Sequence, residues 1–297
     1  MVEKITLENL TTNKQIILGM LPTQSENFVL LSVDWGTAEG THSTYKYANQ
    51  IGVSIVSTSL ETRAISIIGA IVSENSGVLL DCKKMLSNFV NPQQQIKILY
   101  KNYYICFNPS NSIRYGTEYK ENNDVICRFK IDGIAPLPYF RTDNDLQIDA
   151  ATTIPFFHFP LIIPPGGLVF GVRQPAQLVN VYNAGSLTTG FTIIFKAVGA
   201  CLNPKITNAR TLEYFEIDKL LTAGERVVID TLTGEKSVIG TILGVSSNYY
   251  RYKTLGSTWL QLQPGDNVFR FDAAENPQNI EAYIQFSNQF LEVQELD

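Results

Sequence analysis

The chain of 297 residues contains two histidines, His42 and His158, so it offers little acid–base chemistry near neutral pH. His42 sits in the polar run Glu39-Gly40-Thr41-His42-Ser43, which reads as a loop. His158 sits in Phe156-Phe157-His158-Phe159-Pro160, which reads as a packed or edge position. There is no Gly-x-Ser-x-Gly elbow, and neither histidine has a nucleophile in a recognisable local context, so a triad hydrolase is not expected. Cys82, Cys106, Cys127 and Cys201 form no CxxC pair and no other metal-ligand spacing. With apolar neighbours such as those in Tyr104-Ile105-Cys106-Phe107, they read as small buried hydrophobes of a protein made in a reducing cytosol. Asp143, Asp145 and Asp149 begin like a calcium loop. The sixth position of that frame is Ile148 rather than Gly and the twelfth is Ile154 rather than Glu, which favours a solvated turn. Thr233-Gly234-Glu235-Lys236-Ser237 ends like a phosphate loop, but Glu235 separates Gly from Lys and the first glycine is missing. After Ile229-Asp230-Thr231 the segment reads as a hairpin turn. No motif nominates a glycosidase pair among the 28 acidic residues. The expectation is a protein with no catalytic residues, no bound metal and no cofactor.

Binding is a separate possibility. Aromatic rings stack on the apolar faces of sugars, and Tyr249, Tyr250, Tyr252 and Trp259 are the natural candidates for such a platform. Core packing and cross-strand pairing explain the same residues and are the favoured reading. The formal net charge of −5 argues against nucleic acid as the main partner, because such binding usually rests on a basic excess. The start Met1-Val2-Glu3-Lys4 has no basic segment leading into an apolar one, and the longest apolar stretches, such as 65–72, are too short to cross a bilayer. A soluble protein made in the cytoplasm is expected.

The elements that must position these residues are mostly strands. In Val125-Ile126-Cys127-Arg128-Phe129-Lys130-Ile131-Asp132 the apolar residues alternate with polar ones, as in a half-buried strand. Ile280, Ala282, Ile284 and Phe286 alternate in the same way. Residues 64–72 are apolar on both faces, which predicts a strand covered on both sides. Lys101-Asn102, flanked by Tyr100 and Tyr103, predicts a two-residue hairpin turn. From Ser76 to Val90 the period changes: Val78, Leu79, Cys82, Met85, Leu86, Phe89 and Val90 fall on one helical stripe, with Ser76 able to cap it and Pro92 to stop it. Pro136 and Pro138 mark a boundary, and after it come only short strand-like runs separated by turn signals. The fold class expected is mainly β: an α+β domain with one helix over 1–140, then an all-β sandwich over 141–297.

The order of these segments resembles the distal tail protein family of long-tailed phages. The first domain runs from Leu7-Glu8-Asn9-Leu10 through Val33-Asp34-Trp35-Gly36 and Arg63-Ala64-Ile65-Ser66 to the helix with Asn91-Pro92. It then passes through the 96–104 hairpin to Phe129-Lys130-Ile131 and Pro138-Tyr139-Phe140. The second contributes Phe157-His158-Phe159-Pro160, Val179 to Gly185, Thr222-Ala223-Gly224-Glu225 and Pro264-Gly265-Asp266-Asn267. The resemblance implies a homo-hexameric ring built by the first domains around a channel, with galectin-like second domains outside. It implies a tail tube protein and a tail-tip hub protein as partners on the two faces. Receptor-binding proteins would dock on the outer domains, and the assembly would reside in the virion. A sugar-binding adhesin acting through the second domain is the alternative, and a cell-wall hydrolase a third reading that no residue supports.

Overall fold

A computed structural model describes residues 4–20, 27–143, 145–149 and 178–293, together with the backbone of 151–155 and 171–175. They fall into two units, Met1–Asp143 with Phe290–Asp297, and Asn144–Gln289.

Along the first unit run β1 (Lys4–Asn9), β2 (Lys14–Gly19), β3 (Phe28–Asp34), β4 (Gly40–Tyr45), β5 (Ser54–Leu60), β6 (Arg63–Val72) and α1 (Ser76–Phe89). They continue with β7 (Ile96–Tyr100), β8 (Tyr103–Pro109), β9 (Arg114–Tyr115), β10 (Ile126–Ala135) and β11 (Phe140–Thr142). The period-two runs form the expected strands: Cys127, Phe129 and Ile131 of β10 are buried, and the strand begins one residue after Val125, which is exposed. The tyrosine pair Tyr100↔Tyr103 closes the two-residue β7–β8 hairpin, with Lys101 in the left-handed region at φ 53°.

The large sheet runs β11-β8-β7-β1-β2-β3-β6-β10-β9, and an additional β8–β10 pairing folds it back on itself. That closure brings Gly133 opposite Pro109, under the ring of Phe107; a Cβ at Gly133 would lie 2.3 Å from that ring and 2.7 Å from the Asn108 carbonyl. Only a residue without a side chain lets the strands meet there. The enclosed side chains include Ile5, Leu7, Leu18, Ile67, Phe107 and Phe129.

Helix α1 covers this core with Leu79, Cys82, Leu86 and Phe89, so the stripe read from spacing is the buried one, apart from the exposed Val78 and Met85. Its cap is Asn75 rather than Ser76: the Asn75 side chain accepts from the Val78 amide at 3.0 Å, one residue earlier than the spacing suggested. Asn9 ties the far end down by donating to the Phe89 carbonyl at 2.9 Å. Lys83 and Lys84 differ. Lys84 is solvated, 3.4 Å from Asp81, whereas Lys83 donates to Asn122 at 2.7 Å and lies over the Tyr115 ring. Charge reversal at Lys84 is therefore expected to change stability by no more than about 0.5 kcal/mol. Lys83→Glu should cost roughly 1 kcal/mol through the lost Asn122 bond. Thermal unfolding followed by circular dichroism separates them; equal effects would mean that Lys83 does not hold the 116–123 loop.

Two expectations need correction. Strand β6 is only partly covered on its second face: Arg63, Ile65, Ile67 and Ile71 point inward, while on the other face Ala70 is buried but Ala64 and Ile68 are exposed. His42 is not in a loop but on β4, which pairs with β5 from Gly40↔Leu60 to Tyr45↔Ser54.

In the second unit the strands are β12 (Leu146–Asp149), β13 (Ala151–Pro155), β14 (Gly171–Pro175), β15 (Val179–Asn183), β16 (Thr192–Ala197), β17 (Cys201–Asn208) and β18 (Tyr214–Glu216). After them come β19 (Leu220–Leu221), β20 (Arg226–Asp230), β21 (Ser237–Ile242), β22 (Val245–Asn248), β23 (Gly265–Glu275) and β24 (Ile280–Phe286). One sheet runs β12-β24-β16-β20-β21-β22 and a second β15-β23-β17-β18, with β19 beside β17. Phe195 of the first meets Phe271 of the second edge-on at 6.1 Å, and inward residues of both sheets form one core. A two-sheet all-β unit is what the regular turn punctuation predicts. From Gln289–Phe290, strand β25, the chain returns to the first unit, where Phe290 packs edge-on against Tyr103 at 5.5 Å.

Candidate functional site: an exposed arm and an aromatic corner

The strongest candidate surface is the β4–β5 hairpin. It continues the β3–β6 pair as an arm. At its root the Glu61 amide donates to the Glu39 carbonyl at 2.8 Å, and Gly36, at φ 61°, passes so close to β6 that a Cβ would lie 2.1 Å from the Ala64 carbonyl oxygen. Every residue of β4 and β5 is exposed. Yet the arm carries Tyr45, Tyr47, Ile51, Val53, Ile55, Val56 and Leu60, with Val56 71% exposed. Its own contacts are small: Tyr45 and Tyr47 meet edge-on at 4.5 Å, and His42 Nδ1 lies 2.8 Å from Thr58 Oγ1. A two-stranded ribbon has no core of its own, so this apolar surface needs a partner to be removed from water. Sequence reasoning missed the arm because Ser and Thr alternate with its apolar residues as they do in solvated loops; the faint signal was the β-branched Val53, Ile55 and Val56.

The four aromatic residues nominated for sugar binding do not form one platform. Tyr249 is buried and precedes a 3-10 turn over Tyr250–Tyr252, with Lys253 following it. Tyr250 is exposed and lies 6.1 Å from Trp259 at an interplanar angle of 31°; Trp259 also packs on Phe215 at 5.2 Å. Only Tyr250 and Trp259 thus pair towards solvent. The Tyr249 hydroxyl donates to Glu225 at 2.8 Å, and the Glu225 carboxylate, wholly buried, also accepts from Lys219 at 2.6 Å and from the Thr222 amide at 3.0 Å. Burial pushes the Glu225 carboxyl up, but Lys219, Thr222 and Tyr249 together outweigh it and hold it below the usual carboxylate range. Burial and the facing Glu225 both push the Tyr249 hydroxyl up. The cluster fixes the corner rather than presenting it to a ligand.

The remaining chemical candidates stay dispersed. Asp143 is 2.6 Å from Lys97, Asp149 lies on β12, and His158 lies outside the described residues. Residues 233–236 lie in the turn between β20 and β21, with Gly234 at φ 91° and Ser237 opening β21. Among the described residues no group of three or more His, Cys, Asp or Glu is placed to hold a metal. An open depression of about 600 Å³ beside the start of α1 is lined by Ser76, Leu80, Lys83, Tyr119 and Asn122. Lys83 and Asn122 there are bonded to each other.

Residues 184–290 match the family model for the siphovirus-type tail component, C-terminal domain. Among solved structures, the crystal structure of SPP1 Dit, described as a paradigm of the hub adsorption apparatus in phages infecting Gram-positive hosts, aligns over 96% of this chain and 99% of its own. The TM-score is 0.66 and the identity 11%. A chain of the phage P2 baseplate in its activated conformation with calcium aligns over 96% and 98% with TM-score 0.52 and 10% identity. At such identities the agreement is one of fold. A search of curated protein sequences found no match. The second unit is a siphovirus-type tail component domain, which makes the chain a structural protein of a phage tail. The family match covers 184–290, and the protein is part of the virion, at the tail tip.

Proposed function

We propose that the protein is a non-enzymatic connector whose first units close into a ring, hexameric as the resemblance implies, around a central channel. The arm carries this reading: it holds seven large apolar side chains in water, and a neighbouring copy in a closed ring would cover them and leave no open edge. The outward face of β6, with Ile68 and Ala64 uncovered, supplies a second surface of the same kind. One face of the ring meets the tail tube protein and the other the tail-tip hub protein, while the second units stand ready to dock baseplate or receptor-binding proteins. This function is geometric and needs no reacting group. A sugar-binding adhesin is the weaker reading, since Tyr249 is committed to Glu225 and the nominated residues reduce to the Tyr250–Trp259 pair.

Light scattering of the purified protein followed by negative-stain microscopy tests the proposal. Six-fold rings with a central hole are expected. A monodisperse monomer at high concentration would overturn closure by the chain alone.

A further inference from the structure

Arg63 is the largest side chain that the first unit buries completely. Nothing nearby in the sequence neutralises it. Its Nη2 donates to the carbonyl of Leu291 and lies 3.4 Å from the Glu292 carboxylate, across 228 residues of chain. Its Nε and Nη1 find no hydrogen-bond partner among the described residues, so the acceptors it meets there come from the returning segment. Arg63 also stands at the root of the arm. It opens β6, its guanidinium lies 5.0 Å over the Phe140 ring, and Trp35 meets the same ring edge-on at 5.4 Å. A Cβ at Gly36 would lie 3.5 Å from Arg63 Cγ. Both sides of the root, 35–36 and 63–64, therefore converge on one buried cation.

We propose that the C-terminal segment is a strap that fixes the root of the arm through Arg63. A buried guanidinium is tolerated only where acceptors face it, and here Leu291 and Glu292 supply them. Phe290, buried against Tyr103, seats the strap independently of Arg63. The geometry makes Arg63 a positioning residue: the arm keeps its direction only while residues 290–292 are in place. The consequence for assembly rests on the reading of the arm as the ring-closing element, but the strap itself does not.

Hydrogen exchange resolved by segment tests it on the full chain carrying Arg63→Met and on a chain ending at Gln289. Arg63→Met removes the tie but keeps an apolar stem, so exchange around 33–39 and 61–66 is expected to rise roughly tenfold by local opening, with β7, β8 and the second unit unchanged. The shortened chain should show the same local rise, and adding Arg63→Met to it should raise its melting temperature, because an uncharged side chain needs no cap. Should the shortened chain fail to fold, the full-length variant decides alone. Unchanged root exchange in Arg63→Met would overturn the proposal, and so would a uniform rise throughout the first unit. Exchange is read whether or not rings form, so loss of the ring reading and loss of the strap reading give different results.

Discussion

A chain in which residues 40–60 are replaced by a short Gly-Ser turn will remain folded and lose self-association. The residues removed touch almost nothing else in the chain, since β4 and β5 are exposed throughout. The β3–β6 ladder from Phe28↔Ile71 to Asp34↔Ser66 does not depend on them, so stability should change by about 0.5 kcal/mol or less, as for surface substitutions generally. Assembly should change far more. Fully burying one large aliphatic or aromatic side chain is worth roughly 1.5–3 kcal/mol, and the arm carries seven. Even with most of that offset by ordering and lost freedom, about 2.7 kcal/mol per contact shifts the association constant about a hundredfold. Light scattering across a concentration series measures it, and Ile51→Asp with Val56→Asp is the milder variant expected to move the same way. Rings that persist after the deletion would show that the seal lies elsewhere, with the exposed face of β6 the next place to look.

The arm also marks where the sequence was hardest to read. Periodicity is legible when one side of an element faces a core, because burial selects apolar residues at fixed steps. That is why β10, β24 and the α1 stripe stand out. The arm has no inner face in the single chain, so its apolar residues follow no period that one chain can explain. Arg63 was invisible for a different reason. A lone arginine at a strand start ordinarily reaches solvent, and nothing local announces that residues 291–292 come back to cap it. In Tyr249-Tyr250-Arg251-Tyr252 strand parity does not apply, because the segment turns as a 3-10 helix and sends neighbouring rings to different environments.

The turn phrases behind the resemblance were legible, and their physical content is now visible. Asn183 is buried and donates to the carbonyls of Leu187 and Leu262 at 3.0 and 3.2 Å while accepting from Gly185. Asn267 donates to the carbonyls of Gln263 at 2.7 Å and Gly265 at 2.9 Å, with Gly265 at φ 88°. Each phrase is a side chain stitching a loop whose backbone groups would otherwise be buried unpaired. Such stitches are demanded by loop geometry, which is why these phrases read as turns from the sequence alone.

Glu225 is one of those phrases, closing Thr222-Ala223-Gly224-Glu225, and its replacement carries the largest expected loss of stability in the second unit. Glu225→Ala leaves the largely buried Lys219 ammonium and the buried Tyr249 hydroxyl without their acceptor. Breaking a buried pair from one side costs about 3–5 kcal/mol. Glu225→Gln keeps an acceptor for Tyr249 and should lose less. The pH dependence follows from the sign of the shift. The folded carboxyl titrates below its unfolded value of 4.5, so its contribution is fully present above that pH and is lost as pH falls through the lower folded value. Lys219 is shifted upward: burial pulls it down, but Glu225 outweighs this. Its contribution is present below the unfolded value of 10.5 and fades only as pH rises through the higher folded one. Melting followed by Trp259 fluorescence in a Trp35→Phe background should show a wild-type advantage over Glu225→Gln that is constant near neutrality and shrinks below about pH 4.5. An advantage independent of pH down to 3 would mean that the carboxyl titrates alike in the folded and unfolded chain, so that Lys219, Thr222 and Tyr249 do not favour its ionised form.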